Sequence, residues 1–323
     1  MKNFVFALVA AAIVFGAPET AKAVKKNEIE KYKVKQGDLD REYWVYDPRA
    51  QGTSAKSGKR PLVLVLHGGG GRADKFAVMT GDKTSFTALA DKEDLLIVFP
   101  QGYKKHWNDG RDADVVEAQV MELDDVGFIS EVIDEMVKTR DADTRRIYAT
   151  GPSNGGFMSN RLACDLSNKV AAVGIVIAQM SVNLKDRCNP KSPVSVLIMN
   201  GTEDPLVPYN GGQVGLGKKK NRGAIYSTAD TFDFWLKKAG YRKGGQNIAP
   251  VALPDADPKD KTRVYKQDYK GDSAEVALYT VEGGGHTWPG GKQYLFEFLV
   301  GRTSHDINAT QVIWDFFKRN PKP

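Results

Sequence analysis

Residues 145–158 read RRIYATGPSNGGFM. Ile147, Tyr148, Ala149 and Thr150 form a short β-branched and aromatic run of the kind strands favour, and Gly151-Pro152-Ser153-Asn154-Gly155-Gly156 follows without a spacer. A strand that turns at once into a helix forces its turning residue into a strained conformation, so glycines on either side remove the side chains that would clash. Ser153 is therefore expected at an elbow on top of a sheet, with a helix amino terminus behind it. As a pattern alone, glycine-framed serine is weak. Its meaning rests on what the other segments bring to it.

Working outward, the neighbouring segments alternate between strands and helices. Glu42 to Tyr46 alternates as an early strand, and Leu62 to Leu66 and Leu95 to Phe99 are continuous apolar runs of the kind buried on both faces. Asp124-Asp125 opens a helix with Val126, Ile129, Val132, Ile133, Met136 and Val137 on one face, and Asp125 is its expected N-cap. After the serine elbow come a helix to about Leu166, an apolar run from Val170 to Ile177, and a strand from Pro193 to Met199. A short amphipathic helix is expected over Thr231 to Ala239, a surface excursion over Asn247 to Lys261, a last strand over Glu275 to Val281 and a closing helix over Ile307 to Lys318. This pattern predicts an α/β fold, a mostly parallel central sheet with helices on both faces.

The chain of 323 residues carries a formal charge of +6 and 41% hydrophobic residues, which describes a globular protein. Its basic residues are dispersed, and no nucleic-acid motif is present; the dense run Lys218-Lys219-Lys220 sits among glycines and reads as a solvated loop. At the amino terminus Lys2, the apolar stretch Phe4 to Ala17 and Ala21-Lys22-Ala23 read as a signal peptide over 1–23, too short to span a membrane. The expected mature chain, 24–323, is a single domain, secreted or periplasmic, with no stable membrane anchor. Export into an oxidising compartment favours pairing of the two cysteines, Cys164 with Cys188. Two cysteines and few histidines make no zinc site, and no metal or cofactor is expected.

Three loops at strand ends supply chemistry. His67-Gly68-Gly69-Gly70-Gly71 follows the first buried run and leaves bare backbone N–H groups suited to a negative oxygen. Asn200-Gly201-Thr202-Glu203-Asp204-Pro205 places an acid beyond a buried strand, with Asp204 preferred to Glu203. Gly283 to Gly291, GGGHTWPGG, places His286 on a glycine-rich loop after the last strand. Of the four histidines only His286 combines a late position, a loop after a strand and freedom of movement. The resulting order, Ser153, Asp204, His286, is the one α/β-hydrolases use.

The stretches LVLVLHGGGG, HWNDGR, DDVGFI, GPSNGGFM, NGTEDPLVPYNGG, GGGHTWPGG and GRTSHDINATQVIWDFF resemble the family of secreted polyhydroxybutyrate depolymerases and feruloyl or acetylxylan esterases. The resemblance runs across nearly the whole expected mature chain. It implies an α/β-hydrolase with Ser153 as nucleophile, His286 as base and Asp204 as acid. Pro152 stands where members of the family more often have leucine. The oxyanion is expected on the N–H groups of Asn154 and of Gly68, Gly69 and Gly70, and Trp107, Trp288 and Tyr209 are candidate walls of the substrate pocket. The expected substrate is an ester: a small acyl ester, a hydroxyalkanoate oligomer, or a feruloyl or acetyl group on polysaccharide. In that family a threonine-rich linker and an adsorption domain usually accompany action on solid polyester; neither is expected here, and the expected substrates are soluble oligomers, small acyl esters or acyl groups on polysaccharide. A serine peptidase of the same fold and a non-catalytic binder are the alternatives.

Overall fold

The computed structural model describes residues 29–75, 85–217, 221–242 and 248–323. The expected leader and the Lys218–Lys220 run lie outside the described residues. The strands are β1 (Glu30–Gln36), β2 (Leu39–Tyr46), β3 (Arg60–Val65), β4 (Leu96–Pro100), β5 (Ala142–Pro152), β6 (Ala172–Val176), β7 (Ser195–Gly201), β8 (Gly212–Gln213), β9 (Ala224–Ile225), β10 (Val251–Ala252), β11 (Arg263–Lys270) and β12 (Glu275–Glu282). Ten of them form one sheet in the order β1-β2-β4-β3-β5-β6-β7-β12-β11-β10, while β8 and β9 pair separately.

From β4 to β12 the neighbours are parallel, and the antiparallel strands lie at the two flanks. The parallel strands are buried on both faces, which is why Leu62 to Val65, Leu96 to Phe99 and Val196 to Met199 carry no polar alternation. One face of the sheet packs against the helices Asp125–Thr139, Asn154–Asp165 and Thr228–Lys238, through residues such as Phe128, Ile133, Phe157, Leu162 and Trp235. The other face packs against Phe86–Glu93 and Ala309–Lys318, with Phe86, Ile313, Phe316 and Phe317 inside and the Phe317 ring stacked on Tyr148 at 4.7 Å. The α/β arrangement read from the sequence is the observed one.

Chain direction decides where a site can form. From β3 the chain goes to β4 on one side and then to β5 on the other, so the carboxyl ends of β3 and β5 border the point where strand order reverses, the place such sheets hold ligands. The row Pro152, Val176, Met199 and Tyr279 lies in register across β5, β6, β7 and β12. Ser153, Asp204 and His286 each follow that row, on the same edge of the sheet.

Asp125 is not the N-cap of its helix. Asp124 takes that place, its Oδ1 accepting the Gly127 N–H at 2.8 Å, while Asp125 turns inward and is fully buried against Arg41, with its Oδ2 accepting the Asn108 N–H. Consecutive aspartates point to different sides of a helix start, and only packing chose which went inside.

Cys164 and Cys188 form a disulfide with a sequence separation of 24 residues, tying the end of the Asn154–Asp165 helix to the segment before β7. A loop of that length predicts about 3 kcal/mol from restriction of the unfolded chain. The double variant Cys164→Ser, Cys188→Ser is therefore expected to melt several degrees lower. An unchanged melting temperature would mean that the bridge leaves the unfolded ensemble unrestricted.

Candidate active site

Ser153 sits at φ 53° and ψ −121°, the only residue of its turn with positive φ. A non-glycine residue there costs about 1–3 kcal/mol and persists because both neighbours hold it. Its N–H donates to Val176 O at 2.9 Å, and its carbonyl accepts the Phe157 N–H at 2.8 Å. The framing glycines have one shared reason: a Cβ on either Gly151 or Gly155 would lie 2.1 Å from the Leu66 carbonyl oxygen. The elbow therefore presses directly on the end of the first buried run. That contact also brings the glycine loop to the serine, since a Cβ on Gly68 would lie 3.8 Å from the Ser153 Cβ.

Behind the elbow, His286 and Asp204 are paired. The His286 Nδ1–H donates to Asp204 Oδ2 at 2.7 Å, and both residues are buried. Asp204 Oδ1 accepts the backbone N–H groups of Leu206 and Val207, each at 2.8 Å, so one carboxylate oxygen is fixed by the backbone and the other is left for the imidazole. The His286 carbonyl accepts the Tyr294 hydroxyl at 3.1 Å. With its Nδ1 proton committed to the acid, a neutral His286 carries its lone pair on Nε2, the atom a base needs. The Ser153 hydroxyl makes no hydrogen bond among the described residues, to His286 or to any other group. Such contacts are commonly long without substrate and tighten when it binds. Glu203 is exposed and faces Arg302, at 3.1 Å, away from the imidazole.

The glycine loop is shaped by His67. This ring is fully buried; its Nδ1–H donates to Gly68 O at 2.8 Å, and its Nε2 accepts from Gly102 N at 3.0 Å and Gln101 Nε2 at 2.9 Å. Those partners require a neutral ring, and burial accordingly drives its pKa down to about 4. The unfolded chain takes up this proton first, near pH 6.5, so the stabilisation is complete above that value and lost as pH falls through 4. The full effect is about 3 kcal/mol. Urea midpoints of the wild type are expected to drop between pH 7 and pH 4.5 more steeply than those of His67→Gln; equal slopes would assign the acid sensitivity to other groups.

Two of the sequence expectations fail here. Gly70, at φ 75°, donates its N–H to Lys105 O at 2.9 Å, so its amide is already committed within the protein. Trp107 is no pocket wall. It is fully buried beneath the loop, its indole N–H donating to His67 O at 2.9 Å, because the chain after β4 folds under the glycines. Trp288 and Tyr209 are half-buried, and their polar tips are spent inside the protein, on Thr310 at 3.2 Å and Thr280 at 2.9 Å.

A buried polar network behind the elbow was not legible in the sequence. Asn154 Oδ1 accepts the Trp107 N–H at 2.8 Å, and Asn154 Nδ2 donates to Asp109. Asp109 in turn takes Arg111 Nη2 at 2.8 Å and Gln119 Nε2 at 3.0 Å, and the Arg111 guanidinium lies 4.1 Å over the Phe157 ring. The residue following Ser153 is thereby tied to the HWNDGR segment. An acid two residues before an arginine, in HWNDGR, was the available signal. Among the described residues no group of three or more His, Cys, Asp or Glu could hold a metal ion, and no helix is long and apolar enough to cross a membrane.

No protein-family model matches the chain. It is 29% identical over 264 residues to NocK of Nocardia uniformis subsp. tsuyamanensis, which is assigned as an esterase, covering 80% of this chain and 74% of that one. It is 30% identical over 241 residues to feruloyl esterase B of Piromyces equi, covering 72% of this chain and spanning only 40% of that protein. Among solved structures, the acetyl xylan esterase from Aspergillus awamori superposes with a TM-score of 0.51 at 14% identity, over 78% of this chain and 92% of that one, which is a likeness of fold. The chain has the α/β-hydrolase fold and is similar in sequence to feruloyl and acetylxylan esterases.

Proposed function

We propose that the protein is an exported serine esterase that cleaves carboxylic esters through an acyl-enzyme. The observation that carries this reading is the buried His286–Asp204 pair, with its Nδ1 proton fixed at 2.7 Å, on the same sheet edge as a serine held at positive φ. Ser153 Oγ attacks the ester carbonyl while His286 Nε2 takes its proton. The tetrahedral oxygen turns toward the Asn154 and Gly68–Gly69 amides, each such donor contributing about 3 kcal/mol at the transition state. His286 returns the proton to the departing alcohol, and water then attacks the acyl-enzyme by the same route. Asp204 holds the imidazole tautomer and stabilises its cation.

The substrate classes named on its relatives, feruloyl and acetylated xylan esters, belong in the test panel beside short-chain acyl esters and hydroxyalkanoate oligomers. The leader over 1–23 and the Cys164–Cys188 bridge support export. Treatment with a fluorophosphonate should shift the mass of one peptide, that containing Ser153, and abolish ester turnover. Labelling elsewhere would relocate the nucleophile, and labelling with cleavage of peptides but not esters would make the protein a peptidase.

A further inference from the structure

His286 is not the only imidazole at this edge of the sheet. The Cδ2 and Nε2 atoms of His106 lie 3.2 and 3.4 Å from where a Cβ on Gly69 would be, and the Asn154 Cβ lies 3.6 Å from the same point. One edge of the His106 ring therefore borders the two segments whose amides face the proposed oxyanion position. His106 is half-buried, so part of the residue meets solvent. It is also held. Its Nδ1 lies 3.2 Å from Lys104 O, a carbonyl that can only accept, so the proton is on Nδ1 and the neutral ring presents a lone pair at Nε2. No described residue donates to that lone pair.

The segment carrying this ring is shaped against backbone preference. Lys104 and Lys105 stand consecutively at φ 45° and 70°, the left-handed region that lysine seldom occupies. The strained turn delivers two contacts at once. Lys105 O accepts the Gly70 N–H at 2.9 Å, and the next residue's ring is laid against Gly69. Immediately afterwards Trp107 N–H is clamped to Asn154. Strain of this kind concentrates where a side chain has to be aimed. Burial pushes the pKa of this ring below the ordinary imidazole value; the hydrogen bond to Lys104 O works against that, Arg222 and Arg111 add to it, and Asp109 opposes them.

We propose that His106 is a specificity-determining residue whose Nε2 accepts a hydrogen bond from a hydroxyl carried within a few bonds of the ester carbonyl. This rests on the esterase reading above and adds the substrate class to it. The hydroxyl can come from the acyl side, as in a 3-hydroxyacyl ester, or from the alcohol side, as on a sugar beside its acetylated position. The site is then predisposed against esters whose corresponding position is a methoxy or bare methylene group, since neither can donate.

The test compares pairs of esters differing only in that hydroxyl. One pair is p-nitrophenyl 3-hydroxybutyrate and p-nitrophenyl butyrate; the other is a monoacetylated xyloside with its neighbouring hydroxyl free or methylated. The readout is the ratio of kcat/KM within each pair, for the wild type, His106→Phe and His106→Gln. One neutral hydrogen bond is expected to give a ratio about tenfold in favour of the hydroxylated ester, lost in His106→Phe and largely kept in His106→Gln, which still offers an acceptor. The pair showing this behaviour identifies the side of the ester that His106 reads. Ratios in both pairs that are the same in His106→Phe as in the wild type would overturn the assignment while leaving the esterase reading intact. Wild-type protein that turns over none of the esters and resists fluorophosphonate would overturn both.

Discussion

Replacement of Ser153 by alanine is expected to lower kcat on an activated short-chain ester by about six orders of magnitude, and His286→Ala by a similar amount. The serine is partly exposed at the top of the sheet, held at positive φ by hydrogen bonds on both sides of its peptide, and its Cβ lies 3.8 Å from where a Cβ on Gly68 would be. The variant keeps the backbone and loses only the oxygen, so its melting temperature should stay close to that of the wild type. Because hydroxyl and imidazole act on one proton, the double variant should be no slower than either single one. Residual hydrolysis from the Asn154 and Gly68–Gly69 amides is expected to remain above the background in water. Either single variant retaining a tenth of wild-type turnover would place the nucleophile or base elsewhere.

Asp204→Asn is expected to cost about four orders of magnitude in kcat, against less than a threefold change for Glu203→Gln. The geometry separates the two acids. Asp204 is buried, with Oδ1 fixed by the Leu206 and Val207 amides and Oδ2 at 2.7 Å from His286 Nδ1. An asparagine there can turn its amide nitrogen toward the ring and favour the tautomer with its proton on Nε2, where it blocks the base. Glu203 is exposed, and its partner is Arg302. Steady-state kinetics on the two variants decide the matter, and the opposite ranking would move the acid to Glu203.

Much of the architecture was legible because burial leaves an unambiguous mark on sequence. Runs such as Leu62 to Leu66 and Leu95 to Phe99 lack polar residues because strands covered on both faces have nowhere to put them. The flanks were harder. Neither β1, EKYKVKQ, nor β11, RVYKQDYK, was expected as a strand, since each is half exposed and interleaves lysine or aspartate with its few apolar residues. Charged side chains suit a sheet flank, yet they erase the signal by which a strand is recognised.

What the sequence determined by itself is the order of its chemistry: a serine between glycines, an acid after a later strand, and a histidine in a glycine loop after the last one. Residue type and strand periodicity are local properties, and these positions follow from them. Tertiary structure decided what each group has left to offer. It buried Trp107 under the loop, committed the Gly70 amide to Lys105, turned Asp125 inward while Asp124 capped the helix, and set His106 against Gly69. Each of those outcomes depends on a partner tens of residues away or on which side of a turn is covered. A hydrogen bond formed across such a distance uses up a donor or acceptor that the residue's own neighbours in the chain give no sign of losing.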